Sequence, residues 1–414
     1  MLCEIPPTAG MPLFPGDFLS GSGQADLETA LAEFLQVEAT QIESSGTACL
    51  VIALAALSET DRRKSVIVPA YTCPLVALAI RQAGLRAKPV DTAPDSFDFD
   101  VEQLKGAVDE DTLAIIPTHM GGLPADLEPT MNIAGGAGIY VIEDAAQALG
   151  ARWRGKRAGT VGDIGFFSLT RGKGLTIYEG GVLVARDEEM RRRLAQCGDR
   201  MRRSSGLSEM QKIIELVGYM LLYNPVGLSL VYGMPLRFWL KSKNYEQAAG
   251  DVFEEQIPVE AVGNLRRRVG AAASSRLAAM LEDSRKRALR RAELLRALPG
   301  LKVMGEAEGS EGTWPFLCLL AGSREERDKI MDRLWSRGLG VTRLFIHDLS
   351  GYSYLEELVP GGPFPNASSL ADRMFTVSNS HWLDDRSFDK IVTDLQLISR
   401  KDDYHDIGHI TQSG

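Results

Sequence analysis

At 414 residues the chain is longer than one small core, so two or three domains or lobes are expected. Apolar residues make up 44% and charged residues 24%, the balance of a soluble globular enzyme. The net charge of −9 excludes a broad nucleic-acid surface, which needs an excess of Lys and Arg.

The five cysteines (Cys3, Cys49, Cys73, Cys197 and Cys318) are odd in number and carry no CxxC spacing. That speaks against a disulfide framework and for a reducing compartment. The first residues, MLCEIPPTAGMPLFPGDF, lack the basic region and apolar core of a signal peptide, so a cytoplasmic protein is expected.

Residues 24–58 read as helical with a break at Ser44–Thr47, and ACLVIALAALS after the break reads as a buried helix. Short apolar runs then alternate with helix-length segments: 65–70, 85–91, 112–119, 139–145, 165–169 and 181–185. Such runs predict a mostly parallel sheet covered on both faces, an α/β fold. From about 186 the pattern is helical, and 262–298 has a period near 3.6. A smaller α+β region follows, with strands expected at 314–320, 340–345 and 375–379 and helices at 324–337 and 385–399. The organisation expected is a large domain over 1–200, an apolar helical insertion over 201–258, a long helix and small α+β domain over 259–400, and a loose polar tail over 401–414. There is no internal repeat and no low-complexity linker.

The stretch Phe167–Gly181, FSLTRGKGLTIYEGG, places one lysine between two glycines after an apolar strand. A surface turn is one reading; a lysine held against a planar cofactor is the other. Ser44-Ser45-Gly46-Thr47 lies before a helix, where free amides hold a phosphate or a side chain simply caps. Asp144 ends a buried strand, with Gln147 three residues on; an acid there is a structural cap or the partner of a protonated ring nitrogen. Ser168 and Lys173 follow the next run. A phosphate cradle, an acid and a lysine are the parts that pyridoxal 5′-phosphate requires.

SSGTACL, VIVPAYTCP, PTHMGGLPAD, VIEDAAQALGA, GTVGDIGFFSLTRGKG and EGGVLV, in this order, resemble the DegT/DnrJ/StrS aminotransferases. The match covers about 25–200, resumes near 262, and ends with FTVSNSHWLDD. The resemblance implies a fold-type I, pyridoxal phosphate-dependent homodimer with its active site at the interface. It further implies glutamate as amino donor and a nucleotide-linked keto-sugar, or a sugar-like molecule, as acceptor. Carried over, Lys173 is the Schiff-base lysine and Ser168 a phosphate ligand. Asp144 is the pyridinium partner, Gln147 lies near the ring hydroxyl, and Gly46 and Thr47 form the cradle. The family's dehydratase variant has His in place of the lysine and is not expected.

Two positions depart from the family. Where an aromatic usually stacks on the cofactor ring stands Cys73, with Tyr71 or an aliphatic face as the substitute. The family's Asn-aromatic-Arg loop from the partner subunit has its nearest equivalent in Asn264-Leu265-Arg266. These departures keep another fold-type I reaction (a lyase or an acyl-condensing enzyme) or a non-catalytic regulatory protein as alternatives.

Other features carry less. GGAGIYVIED has close-set glycines before a strand instead of after one, which is wrong for a dinucleotide site. His405 and His409, near Asp402, Asp403 and Asp406, read as a solvated tail before a metal site. His119 and His381 read as structural histidines. No metal is expected.

Residues 213–240, IIELVGYMLLYNPVGLSLVYGMPLRFWL, contain two charged residues, and Pro225 splits them into halves too short to span a bilayer of about 30 Å. Arg200, Arg202 and Arg203 precede the segment, and Arg237, Lys241 and Lys243 close it. A hairpin buried against a dimer partner and a hairpin dipping into one leaflet, a peripheral membrane contact, are the two readings.

Overall fold

The computed structural model covers residues 3–19, 26–359 and 361–407, with 399–407 as backbone only. In chain order its strands are β1 (Gln41–Glu43), β2 (Ser65–Pro69), β3 (Arg86–Val90), β4 (Thr112–Ile115) and β5 (Tyr140–Asp144). A short pair, β6 (Arg152–Trp153) and β7 (Lys156–Arg157), precedes β8 (Ile164–Ser168) and β9 (Gly181–Ala185). The C-terminal strands are β10 (Lys302–Val303), β11 (Ser310–Glu311), β12 (Phe316–Leu320), β13 (Val341–Thr342) and β14 (Met374–Ser378).

Seven strands form the main sheet in the order β1-β9-β8-β5-β4-β2-β3. The pairs from β8 through β3 are parallel, and β9 runs antiparallel to both β8 and β1. Every residue of β2, β4, β8 and β9 is buried, which is why these runs show no alternation. The helix Gly46–Ser58 is apolar all round, because it sits between β8, β9 and the helices Pro74–Gln82 and Glu188–Met201. Parallel pairing brings the carboxyl ends of β2, β4, β5 and β8 to one edge. The β8–β9 register, Ser168 opposite Gly181, adds the start of β9 to that edge. A second, antiparallel sheet has the order β10-β12-β14-β13.

Three expectations need correction. The region 24–58 is not helical on both sides of its break: β1 intervenes, three residues long and fixed only by pairing with β9. The 262–298 stretch is two helices, Asn264–Ser274 and Leu277–Arg296. The tail is not loose from 401, since the helix Asp385–Ile407 meets no Gly or Pro before Gly408. His405 lies on the backbone-only part of that helix and His409 outside the described residues, so no metal set is drawn from them.

The apolar insertion breaks at Pro225, as expected. Gly206–Leu222 is one helix; Pro225–Lys241 is a second run with a wider π turn at Ser229–Gly233, and the two meet at 116°. Neither is long and apolar enough to cross a membrane. Tyr219 and Tyr223 stack, with ring centroids 4.5 Å apart, and donate hydrogen bonds to Met11 O (2.9 Å) and Gly10 O (3.3 Å), tying the arm to the N-terminal segment. Of the six flanking cations, Arg200, Arg202 and Arg237 are paired with Glu59, Glu43 and Glu4. Among the described residues, Arg203, Lys241 and Lys243 make no ion pair.

Candidate active site

A cavity of about 730 Å³ opens at the carboxyl edge of the main sheet. Gly46, Thr47, Cys73, Asp144, Gln147, Ser168 and Lys173, expected from four separate stretches of sequence, all lie on its wall.

Lys173 sits in the twelve-residue loop 169–180 between β8 and β9. Its flanking glycines, Gly172 and Gly174, both have φ of 80°, a left-handed conformation that costs any residue with a Cβ. The turn they permit points the lysine at the cavity. Its Nζ makes no hydrogen bond or ion pair among the described residues. Burial lowers its pKa, opposed by the nearby Cys73 and Asp144. Burial thus makes the amine easier to deprotonate to its nucleophilic form than a lysine in water.

Asp144 faces the same space. Burial raises its pKa, offset by the Ala146 amide, which donates to Oδ1 at 3.0 Å, and by Lys173 and His119. Oδ2 accepts no hydrogen bond among the described residues. A desolvated carboxyl with a free oxygen suits a cationic ring nitrogen.

Asp144 is held from behind. Glu143, the neighbouring buried residue, accepts the amides of Gly159, Val161 and Gly162 at 2.6–2.7 Å and lies 2.9 Å from His119 Nε2. Ala125 N–H donates to His119 Nδ1 at 3.0 Å, so the ring's proton is on Nε2 and goes to Glu143. His119 therefore takes the structural place expected of it, and its backbone N–H also donates to Asp144 O at 2.9 Å. The role of Glu143 was not read from sequence, where an acid beside Asp144 gave no separate signal.

The cradle is a helix start. Ser45 Oγ takes the Ala48 amide at 3.0 Å and its carbonyl takes the Cys49 amide, and among the described residues the Gly46 and Thr47 amides have no acceptor, leaving them to an anion. A Cβ on Gly46 would press on Ser168 at 3.3 Å, and one on Gly181 would land on the Ser45 carbonyl. The Gly-Gly pair that closes the lysine motif thus lets β9 pass directly under the cradle. Gln147 Oε1 accepts the Gly121 amide at 2.8 Å, which fixes its carboxamide at the wall.

Two assignments do not gather here. Tyr71 is not on the cavity wall: its ring is fully buried, stacked on Phe97 at 6.3 Å and edge-on to Phe345 at 5.8 Å. It therefore does not substitute for the missing ring-stacking aromatic; Cys73, its thiol pushed up to about 12 by burial, lines the wall there with Thr72, Leu75 and Val76. Asn264 is exposed at the start of its helix and does not line this chain's cavity. Its neighbour Arg266 does, held by Glu209 at 2.6 Å and donating to Glu179 O at 2.6 Å. His381, exposed beside Trp382, lies elsewhere.

Sequence reasoning missed the far wall. Tyr232, Asp251 and Phe253 of the insertion, and Arg343 after β13, complete the cavity. None carries a local motif; only chain folding brings them to the sheet edge.

Lysine, acid and amide cradle on the carboxyl edge of a seven-stranded, mostly parallel sheet define a pyridoxal phosphate enzyme of the aminotransferase type. The model of the DegT/DnrJ/EryC1/StrS aminotransferase family matches residues 13–221 and 263–396, and the chain belongs to that family. Its cofactor is pyridoxal 5′-phosphate, which the residues present fit.

Among curated relatives, dTDP-3-amino-3,4,6-trideoxy-alpha-D-glucose transaminase of Streptomyces venezuelae is 26% identical over 364 residues, 87% of this chain and 83% of that protein. UDP-N-acetyl-3-dehydro-alpha-D-glucosamine 3-aminotransferase of Acidithiobacillus ferrooxidans is 36% identical over 192 residues, 46% of this chain and 52% of that protein. Apart from the first, the matched stretches span 35–52% of the relatives' own lengths. The structure of DesI with its TDP-sugar product superposes with a TM-score of 0.75 at 18% identity, covering 99% of this chain and 96% of that one. That likeness concerns the fold.

Proposed function

We propose that the protein is a pyridoxal phosphate-dependent aminotransferase that converts a carbonyl of a nucleotide-linked sugar, or a sugar-like molecule, to an amine, with glutamate as donor. The observation that carries this is the buried, unpartnered Lys173 amine facing the same cavity as the free oxygen of Asp144 and the free amides of Gly46 and Thr47. Bound there, the cofactor supplies an electron sink for the substrate Cα–H bond. Lys173 holds the cofactor, and its Nζ, once freed, moves the proton. Asp144 keeps the ring nitrogen protonated, Ser168 and the two amides hold the phosphate, and Gln147 orients the ring hydroxyl. The relatives' names support an acceptor of the sugar class.

Homodimer formation with a shared active site belongs to the same reading. Its support is that Asn264 is exposed and turned away from its own cavity, available to a second copy. A cytoplasmic location is supported by five unpaired cysteines. The arm at 213–240 we assign to the face of a membrane leaflet. Ile214, Leu221, Val226, Leu230, Val231, Met234 and Phe238 are each more than half exposed, and Arg203, Lys241 and Lys243 flank the segment in sequence. The family match stops at 221 and resumes at 263, so much of this surface is outside what the family shares.

Borohydride reduction and peptide mapping test the core of the proposal; a pyridoxyl group on a lysine other than Lys173 overturns it. Visible absorbance that bleaches with glutamate and returns with a keto acceptor supports transamination. Bleaching that no keto acceptor reverses points to another reaction on this fold, and no bleaching to a non-catalytic role.

A further inference from the structure

A second cavity, of about 530 Å³, lies between the insertion's end at Ser242–Glu246 and the elements around the C-terminal sheet. Its wall carries four cations, Lys243, Arg324, Arg327 and Arg343, against two acids, Glu246 and Asp372. Those acids are spoken for in part. Asp372 stands 3.3 Å from Arg324, and Glu246 3.4 Å from His347.

The remaining cations are poorly matched. Arg343 is 9% exposed and, among the described residues, gives hydrogen bonds only to the carbonyls of Ile346 and Ala371. Arg327 is 2% exposed; its Nε is 3.1 Å from Asp328 but at an angle that makes no hydrogen bond. Among the described residues, the Nε atoms of both arginines are buried without a hydrogen-bond partner. Lys243 has no ion pair among the described residues and is held at φ 56°, a left-handed conformation unusual for a residue with a side chain.

Burying guanidinium Nε–H donors without an acceptor is costly, and an arginine fork matches the oxygens of a phosphoryl group. We propose that this cavity binds a phosphoryl group, at a site separate from the cofactor's cradle. The arginine forks suit phosphoryl oxygens, and the volume admits a group larger than free phosphate. Arg343 also lines the main cavity, so the two sites share one wall residue. The inference does not depend on the proposed reaction.

The test uses the holoenzyme, whose cradle is already filled, titrated with inorganic phosphate and with pyrophosphate at constant ionic strength, by calorimetry and by melting temperature. Saturable binding is expected, weakened at least tenfold in Lys243→Gln/Arg324→Gln, both substitutions being at exposed side chains. Arg327→Lys, which keeps the charge and loses the fork, should weaken pyrophosphate more than phosphate. Pelleting with phosphatidylglycerol vesicles, competed by pyrophosphate, would identify a lipid headgroup as the source of the group; binding of soluble pyrophosphate without such pelleting would identify a free ligand. No saturable binding to the wild type, or equal binding to the double variant, overturns the proposal.

Discussion

Replacing Asp144 by Asn perturbs the centre of the site while changing little else. The side chain keeps its size and a carbonyl oxygen for the Ala146 amide, now 3.0 Å from Oδ1, and loses only the charge. Removing one member of a buried ion pair costs about 3–5 kcal/mol. At about 1.4 kcal/mol per decade, Asp144→Asn should slow the glutamate half-reaction by about 10²–10⁴-fold. Rapid-mixing absorbance on the cofactor-loaded variant measures this directly. Stability of the cofactor-free protein gives an independent sign. Burial raises the folded pKa of Asp144, so its favourable contribution is complete below the unfolded value of about 3.9 and is lost as pH rises through the folded value. At pH about 8 the apo wild type therefore carries a penalty that Asp144→Asn lacks, and the variant should be at least as resistant to denaturant. A near-normal half-reaction with cofactor bound would refute the assignment, and an apo variant clearly weakened at that pH would make Asp144 a structural anchor instead.

Gly181→Val should destabilise by about 1–3 kcal/mol and weaken cofactor retention, because its Cβ meets the Ser45 carbonyl under the cradle; unchanged melting and cofactor content would show that the helix start tolerates displacement. Asp251 accepts the Ile346 amide and the Tyr352 hydroxyl at 2.7 Å each, and burial pushes it up to about 6. Its contribution is complete below about 3.9 and lost as pH rises through about 6, so Asp251→Asn should remove up to about 3 kcal/mol of the stability loss over that window; identical pH profiles in denaturant titrations would count against it. The wild type should sediment with anionic vesicles, less so in high salt, and Leu230→Glu or Phe238→Glu should abolish sedimentation. Protein that ignores vesicles, with those variants shifting a dimer to monomers, would give the arm to a second copy.

Much of the site was legible because each part is local. The lysine between glycines, the acid at a strand end and the small residues before a helix are all consecutive in sequence. What failed was anything decided across the fold. Gln41–Glu43 carries no strand period and exists by pairing with β9. Tyr71, two residues from Cys73 along the chain, is turned into the core against Phe97 and Phe345, which no local pattern announces.

By itself, then, the sequence determined the alternation of buried strands and helices, the order of the motifs, the family, and the break at Pro225, because periodicity, glycine placement and apolar runs act within a few residues. Tertiary structure alone decided which side chains share a cavity: that Glu143 and His119 brace Asp144, that Asp251 and Arg343 close the far wall, and that the arm's apolar faces point outward. Those outcomes depend on burial and on pairings between segments up to hundreds of residues apart, and such contacts leave no mark on the stretch of chain that makes them.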